Sequence, residues 1–449
     1  MTEQVDVAVI GMGPGGEVAA SRLLAAGKRV AVIERELIGG ECAYWACIPS
    51  KTVLRPPEAA GAADRAAGAG GARLDWPQAR EYRDYMARHL DDSGQVSGYA
   101  EQGALVLKGE ARLLAPGRLE VAGREVRADH VVLATGSEAV VPAIDGLDEV
   151  TVWTNRETYT AADLPARAVI VGGSAVGIET AQFLTRFGVQ VTVVQRGDRL
   201  LGREEPRVGE LARTALQAAG VDVRTGTSPR RAHREGADSV LDLEDGSQVR
   251  GDVVIVATGR RPRTDGLRLE RAGVRLGSSG GIVVDEHCRA ADGVWALGDV
   301  TAVMPFTHVA KYQGRIVADA ILGRPRAARY DGIPRVVFAD PEIAAVGLTQ
   351  AQADERGLHT TAAEVDLARS LARPWTYERD PRGRLGLLAD TDRRVLVGAW
   401  AVAPQAGEWI HQAAMAIRVG IPVDTLLDQV AQFPTYSEGY LTALEALDM

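Results

Sequence analysis

At 449 residues the chain has room for roughly three domains of about 150 residues each, and 46% hydrophobic with 25% charged residues describes a globular protein, not a disordered or collagen-like one. A formal net charge of −9 without a basic block argues against nucleic acid or an anionic membrane as partner. Three cysteines make no secreted disulfide scaffold, so a reducing, cytoplasmic setting is expected.

Taken in chain order, the acidic start Met1 to Asp6 runs directly into the apolar strand Val7 to Ile10, so no removable leader is expected. No apolar run reaches the roughly 18 residues of a membrane helix. The first strand leads into Gly11, Gly13 and Gly16, a helix around Glu17 to Ala26, and a second strand, Val30 to Glu34. The pattern recurs. Val169 to Val171 leads into Gly172, Ser174 and Gly177, a helix to Phe187, and the strand Val191 to Gln195. In both copies the second strand ends 18 residues after the third motif position, which predicts two βαβ units. Each copy has a later echo ending in Ala-Thr-Gly: Val131 to Leu133 before Ala134, Thr135 and Gly136, and Val254 to Val256 before Ala257, Thr258 and Gly259. These read as buried strands completing two parallel sheets.

Pro56 to Gly71, rich in Ala and Gly, is expected to be a surface helix or loop of the first domain. Beyond Gly293 to Asp299 the texture changes. Val336 to Phe338, Leu385 to Leu388 and Val395 to Val402 read as strands and Glu408 to Val419 as a helix, giving a separate α+β domain from about residue 331.

In the first copy Gly11 allows a tight turn, Gly13 lets a pyrophosphate approach the backbone, and Gly16 lets helix and strand pack closely. Glu34, at the tip of the second strand, is placed to accept hydrogen bonds from a ribose diol. In the second copy Gln195 replaces that acid and Arg196 follows it. A carboxylate would repel the 2′-phosphate of NADP, whereas an amide beside a guanidinium can receive it, so NADP is favoured, with NAD as the other candidate.

Cys42 and Cys47 stand five residues apart just after the first βαβ unit, in Gly39 to Lys51. On an ideal helix such a pair lies about 8 to 9 Å apart at Cα, beyond the roughly 7 Å a disulfide tolerates, so a bridge requires a distorted turn. No pair of histidines has metal-ligand spacing, and no metal site is expected.

Cys-x4-Cys-x2-Pro-Ser-Lys (Cys42, Cys47, Lys51), the two nucleotide folds, Gly298-Asp299, Thr307-His308-Val309-Ala310, Asp340-Pro341-Glu342-Ile343 and Pro434-Thr435-Tyr436-Ser437-Glu438 together resemble the flavoprotein disulfide reductases. That group holds dihydrolipoamide dehydrogenase, glutathione reductase and mercuric reductase. The resemblance implies an α/β fold of two Rossmann-like dinucleotide-binding domains and a C-terminal α+β dimerisation domain. FAD would occupy residues 1–147 and 269–330, NAD(P) residues 148–268, and the dimer interface residues 331–449. FAD would be held by Gly11, Gly13, Gly16, Glu34 and Asp299, with Gly40, Glu41, Lys51, Ala134, Thr135, Gly136, Gly298, Thr307 and His308 nearby. The nicotinamide nucleotide would meet Gly172, Ser174, Gly177, Gln195, Arg196 and Gly259. Cys47 would face the flavin, Cys42 would exchange with the acceptor, and Lys51 and Glu179 would pair near flavin N5. A homodimer with a composite active site, in which each C-terminus serves the other subunit, also follows from the resemblance.

The departures are as informative. The family has a histidine acid-base before its C-terminal Pro-Thr, held by a glutamate; here Phe433 takes that place while Glu438 remains. Phenylalanine cannot transfer a proton, and a positioned acid-base is worth about 10² to 10⁴ in rate. Glu41 stands where the family usually has threonine, Tyr44 and Trp45 are bulkier than usual, and no cysteine pair follows Glu438. The small-molecule acceptor is therefore expected to be a disulfide or an unusual sulfur-containing or aromatic compound, with quinone or metal-ion reduction, or a flavin-bearing redox sensor, as alternatives.

Overall fold

The computed structural model describes residues 2–449. The chain divides into two compact units. The first takes the chain up to Pro49, then Glu81–Val140 and Gly259–Arg329; the second takes Ser50–Arg80, Val141–Thr258 and the chain from Tyr330 onward.

In the first unit, parallel strands Leu105–Lys108, Val30–Glu34, Thr2–Ile10, Arg124–Leu133 and Val294–Ala296 lie side by side in that order, with Arg289–Ala291 antiparallel at one edge. Val7, Val9, Val30, Val32 and Val132 are fully or almost fully buried on one face, and Ala8, Ile10, Ala31, Ile33, Val131 and Leu133 on the other. Such strands need cover on both sides, which is why they read as apolar runs and not as alternations. The helix Pro14–Ala25 follows the first strand and packs against the helix Thr307–Ile321.

The second unit repeats the arrangement. Strands Asp222–Thr225, Gln190–Gln195, Arg167–Val171, Val253–Val256 and Val152–Trp153 are parallel in that order, and the helix Ala175–Arg186 follows Arg167–Val171. It also holds an antiparallel five-stranded sheet ordered Pro334–Val337, Glu342–Gly347, Val395–Ala403, Arg384–Asp390 and Thr360–Asp366. The expected helix from Glu408 is interrupted: Ala406–Trp409 and His411–Val419 are separate segments around Ile410.

One expectation needs correction. The stretch from Pro56 continues the helix Cys47–Arg65, and its residues up to Arg80 group with the second unit, not the first. Two prolines and a glycine suggest a break, since each proline lacks the amide donor a helix needs. Burial of Val53, Leu54, Pro57 and Gly61 along one helical face overrides that local preference.

Candidate functional site

The two nucleotide folds match down to single hydrogen bonds. Gly11 N donates to Ile33 O at 2.9 Å and Ala134 N to Ile10 O at 2.7 Å; in the second copy Gly172 N donates to Val194 O at 2.8 Å and Ala257 N to Val171 O at 2.8 Å. Gly11 (φ +96°) and Gly172 (φ +116°) adopt a left-handed backbone, and a Cβ there would lie 2.3 and 2.4 Å from the carbonyl oxygens of Ala134 and Ala257. A Cβ on Gly16 or Gly177 would lie 2.0 or 2.1 Å from the Gly11 or Gly172 carbonyl oxygen. Around Gly13, by contrast, nothing lies within 4 Å of where a Cβ would be, and no side chain caps the helix that begins after it. An uncapped helix N-terminus beside open space is the cradle a dinucleotide pyrophosphate requires, so these residues fit FAD.

The equivalent position in the second copy is filled differently. Ser174 Oγ donates to Ala257 O at 2.9 Å and caps the helix by accepting from Gly177 N at 3.5 Å. The hydroxyl is thus tied back onto the strand ends. At the tips of the second strands the copies diverge by one atom. Glu34 accepts from Met12 N and Glu36 N, both at 2.8 Å, whereas Gln195 accepts from Gly173 N at 2.8 Å through Oε1, which leaves its NH₂ as a donor. Arg196 beside it is exposed.

The distorted turn that a bridge would need is present between the cysteines, although the two sulfurs are not bonded to each other. The helix Gly40–Tyr44 stops at Trp45 (φ −133°), and a new helix starts at Cys47. Tyr44 is fully buried and donates its hydroxyl to Ile38 O at 3.0 Å, fixing the first of these helices. Both sulfurs then meet one hydroxyl. Thr307 Oγ1 lies 3.3 Å from Cys47 Sγ and donates to Cys42 Sγ at 3.5 Å. The hydrogen bond between Cys42 and Cys47, and then burial, push the Cys42 thiol up; the Thr307 hydroxyl and the charge of Lys311 pull it back. The other residues expected around the cofactor are tied into the same unit. Ser137 Oγ donates to Asp299 at 2.6 Å, Gly298 N to Gln313 at 2.6 Å, and Thr135 Oγ1 to Arg263 O at 2.6 Å. Gly136 O accepts from Arg263 N and Gly259 O from Val140 N. Gly40 (φ +61°) sits against Gly13, where a Cβ would be 2.7 Å from the Gly13 Cα. Glu41 lies between Arg260 at 3.7 Å and Arg263 at 3.6 Å, and His308 stacks on Phe306 with ring centroids 5.2 Å apart.

In the second unit Lys51, one helical turn beyond Cys47 in sequence, donates to Glu179 Oε2 at 2.7 Å; Oε1 accepts from Phe338 N at 3.0 Å. The ammonium also lies over the Phe338 ring, 4.8 Å from its centroid, and a cavity of about 330 Å³ opens beside it, reaching Leu54, Arg55 and Gln182. Near the C-terminus Phe433 is 75% exposed, and Glu438 accepts from Thr435 N at 2.9 Å. Tyr436 is buried, which pushes its hydroxyl up and removes it as a proton carrier near neutrality. Among the described residues no group of three or more His, Cys, Asp or Glu is placed to hold a metal ion, and no helix is long and apolar enough to cross a membrane.

Residues 5–314 match the pyridine nucleotide-disulphide oxidoreductase family, and residues 333–444 match its dimerisation domain. The chain belongs to that family. A mercuric reductase from Streptomyces lividans is 36% identical over 99% of this chain and 95% of its own length. A dihydrolipoyl dehydrogenase from Thermus scotoductus is 33% identical over 98% of this chain and 97% of its own. Among solved structures, the Cu(II) complex of the HOCl-induced flavoprotein disulfide reductase RclA from Escherichia coli aligns with a TM-score of 0.87 at 28% identity, covering 98% of this chain and 99% of that one. LpdA from Mycobacterium tuberculosis aligns equally well, with a TM-score of 0.87 at 28% identity over 99% of both chains. This pyridine nucleotide-disulphide oxidoreductase is accordingly an FAD- and NAD(P)H-dependent enzyme, with two Rossmann-like folds and a C-terminal dimerisation domain.

Three residues that the sequence reading passed over come into view here. Glu17 and Arg88 act on each other electrostatically, and Lys311 acts on both Glu17 and Cys42. An acid in the first turn of a helix reads as ordinary dipole compensation, and nothing local marks the other two.

Proposed function

We propose that this chain takes reducing equivalents from NADPH and uses them to keep Cys42 and Cys47 as a dithiol, which reduces a disulfide or another sulfur-containing or aromatic acceptor. The observation that carries the reading is the pair of sulfurs sharing the Thr307 hydroxyl, at a helix break directly after the first nucleotide fold. Bound FAD supplies the two-electron relay between a pyridine nucleotide and a thiol pair. Residues 1–147 and 269–330 hold it, residues 148–268 hold the nucleotide, and residues 331–449 pair the subunits so that each C-terminus completes the other's site. Gly11, Gly13, Gly16, Glu34 and Asp299 are the main contacts in the first fold.

Within this reading each side chain has a bounded task. Cys47 is the inner sulfur and Cys42 the one that meets the acceptor. Lys51, held by Glu179, keeps a cation where negative charge develops on reduction and favours thiolate over thiol. In the second fold the amide donor of Gln195 and the exposed Arg196 receive a 2′-phosphate that a carboxylate would repel, which supports NADPH over NADH. For a disulfide RSSR the balance is NADPH + H⁺ + RSSR giving NADP⁺ + 2 RSH. The proton must reach a departing thiolate, and Phe433, at the position where the family carries histidine, cannot deliver it.

That same residue favours a second reading, in which the acceptor is a quinone or a metal ion and needs no proton from the site. The mercuric reductases among the relatives support it. One experiment separates these readings from a redox sensor. The purified protein is reduced anaerobically with NADPH or NADH while the flavin spectrum is followed, then offered disulfides, quinones and metal ions in turn. Turnover with a disulfide that is lost in Cys42→Ser supports the first reading. Quinone turnover that survives Cys42→Ser supports the second, and fast reduction with no reoxidation by any acceptor leaves the sensor.

A further inference from the structure

The charged groups around Cys42 extend beyond its cysteine partner. The helices Pro14–Ala25 and Thr307–Ile321 cross so closely that a Cβ on Gly15 would lie 2.9 Å from the Ala310 carbonyl oxygen, and one on Gly314 would lie 2.6 Å from the Gly15 carbonyl oxygen. Glu17 stands two residues after Gly15, and Lys311 directly after Ala310. Lys311 is also one turn beyond Thr307, on the helical face whose hydroxyl meets both sulfurs. Lys311 is exposed and Glu17 half-buried. Arg88, the other cation facing Glu17, donates through Nη1 to the Tyr44 hydroxyl at 3.2 Å.

We propose that Lys311 is a positioning residue acting through Cys42: its ammonium favours the thiolate that meets the acceptor, and Glu17 attenuates that charge. This rests on the reading of Cys42 as the exchanging thiol. It gives the chain an electrostatic device where Phe433 has displaced an acid-base. The directions agree. The charge of Lys311 opposes the rise of the Cys42 thiol caused by Cys47 and burial, and it also opposes the rise that burial gives the Glu17 carboxyl. The groups bearing on Cys42 are Cys47, the Thr307 hydroxyl and Lys311. Lys311 also acts on Glu17, as does Arg88. Glu41, the chain neighbour of Cys42, is occupied by Arg260 and Arg263.

The test is the pH profile of Cys42 alkylation by iodoacetamide in holoenzyme reduced with dithiothreitol and desalted anaerobically, with the modified site assigned by peptide mass. Lys311→Met is expected to move the midpoint up by about half a unit and slow alkylation near neutrality about threefold, a size set by the exposure of the ammonium. Glu17→Gln is expected to move it down, because an unmasked ammonium acts more strongly. Lys311→Arg should restore the parent profile, and salt near 1 M, where the screening length is about 3 Å, should shrink both displacements. Displacements in the same direction for the two variants, or none in either while the flavin spectrum and melting temperature match the parent, would overturn the proposal. Opposed displacements together with acceptor turnover surviving in Cys42→Ser would keep the assignment of Lys311 and sink the reading of Cys42.

Discussion

Lys51 and Glu179, 128 residues apart, form a direct ion pair at 2.7 Å, and the carboxylate is held from its other side by the Phe338 amide. Glu179 is 7% exposed at its side chain and Lys51 36%, so the acid is the partner that depends on the pair. If Lys51 is the fixed cation beside the flavin, as proposed above, Lys51→Met should slow flavin reduction by the nicotinamide nucleotide about a hundredfold in stopped-flow absorbance. It should also lower stability by about 1 to 2 kcal/mol in a denaturant titration, and adding Glu179→Gln should return most of that loss.

Gly13 and Gly16 look equivalent in the motif but differ in space. Gly16→Ala forces a methyl group onto the Gly11 carbonyl and should destabilise the apoprotein by about 3 kcal/mol or more. Gly13→Ala meets only open space. Its apoprotein should melt with the parent, while FAD retention through gel filtration falls. A Gly13→Ala variant that keeps its flavin as tightly as the parent would remove Gly13 from the cradle.

The backbone contact of Gln195 uses its oxygen, so Gln195→Glu preserves the hydrogen bond from Gly173 while replacing a donor with a negative charge. The ratio of kcat/KM for NADPH over NADH is expected to fall about ten- to a hundredfold, mostly through KM for NADPH. Arg196→Ala should move the same ratio the same way, and a ratio unchanged in both would point to NADH as the natural donor.

On the reading that Phe433 stands where the family carries histidine, Phe433→His introduces an imidazole five residues before Glu438, whose carboxylate accepts from the Thr435 backbone amide. Disulfide turnover should rise about tenfold or more, with a new inflection in its pH profile near neutrality. Unchanged turnover in a folded, flavin-loaded variant would show that Phe433 does not limit exchange.

Much of this architecture is readable from residue spacing. Gly11, Gly13 and Gly16 with Glu34, and Gly172, Ser174 and Gly177 with Gln195, are local patterns fixed by strand and helix geometry, so the duplication survives as a repeat in the chain. That a bridge between Cys42 and Cys47 would need a break in the helix follows from helix dimensions. What the chain does not display is contact over long separations. Thr307 lies 260 residues from Cys47, and no periodicity links them. Nor does composition reveal that Val53, Leu54, Pro57 and Gly61 share a buried stripe strong enough to carry a helix through two prolines.

The turn between the cysteines has an evolutionary consequence. Because the chain already changes direction at Trp45 and Ala46, the side chains at those two positions are free of the spacing that an unbroken helix imposes. Substitutions there change side chains that belong to neither helix, so variation among descendants of this scaffold should be tolerated best in that short interval.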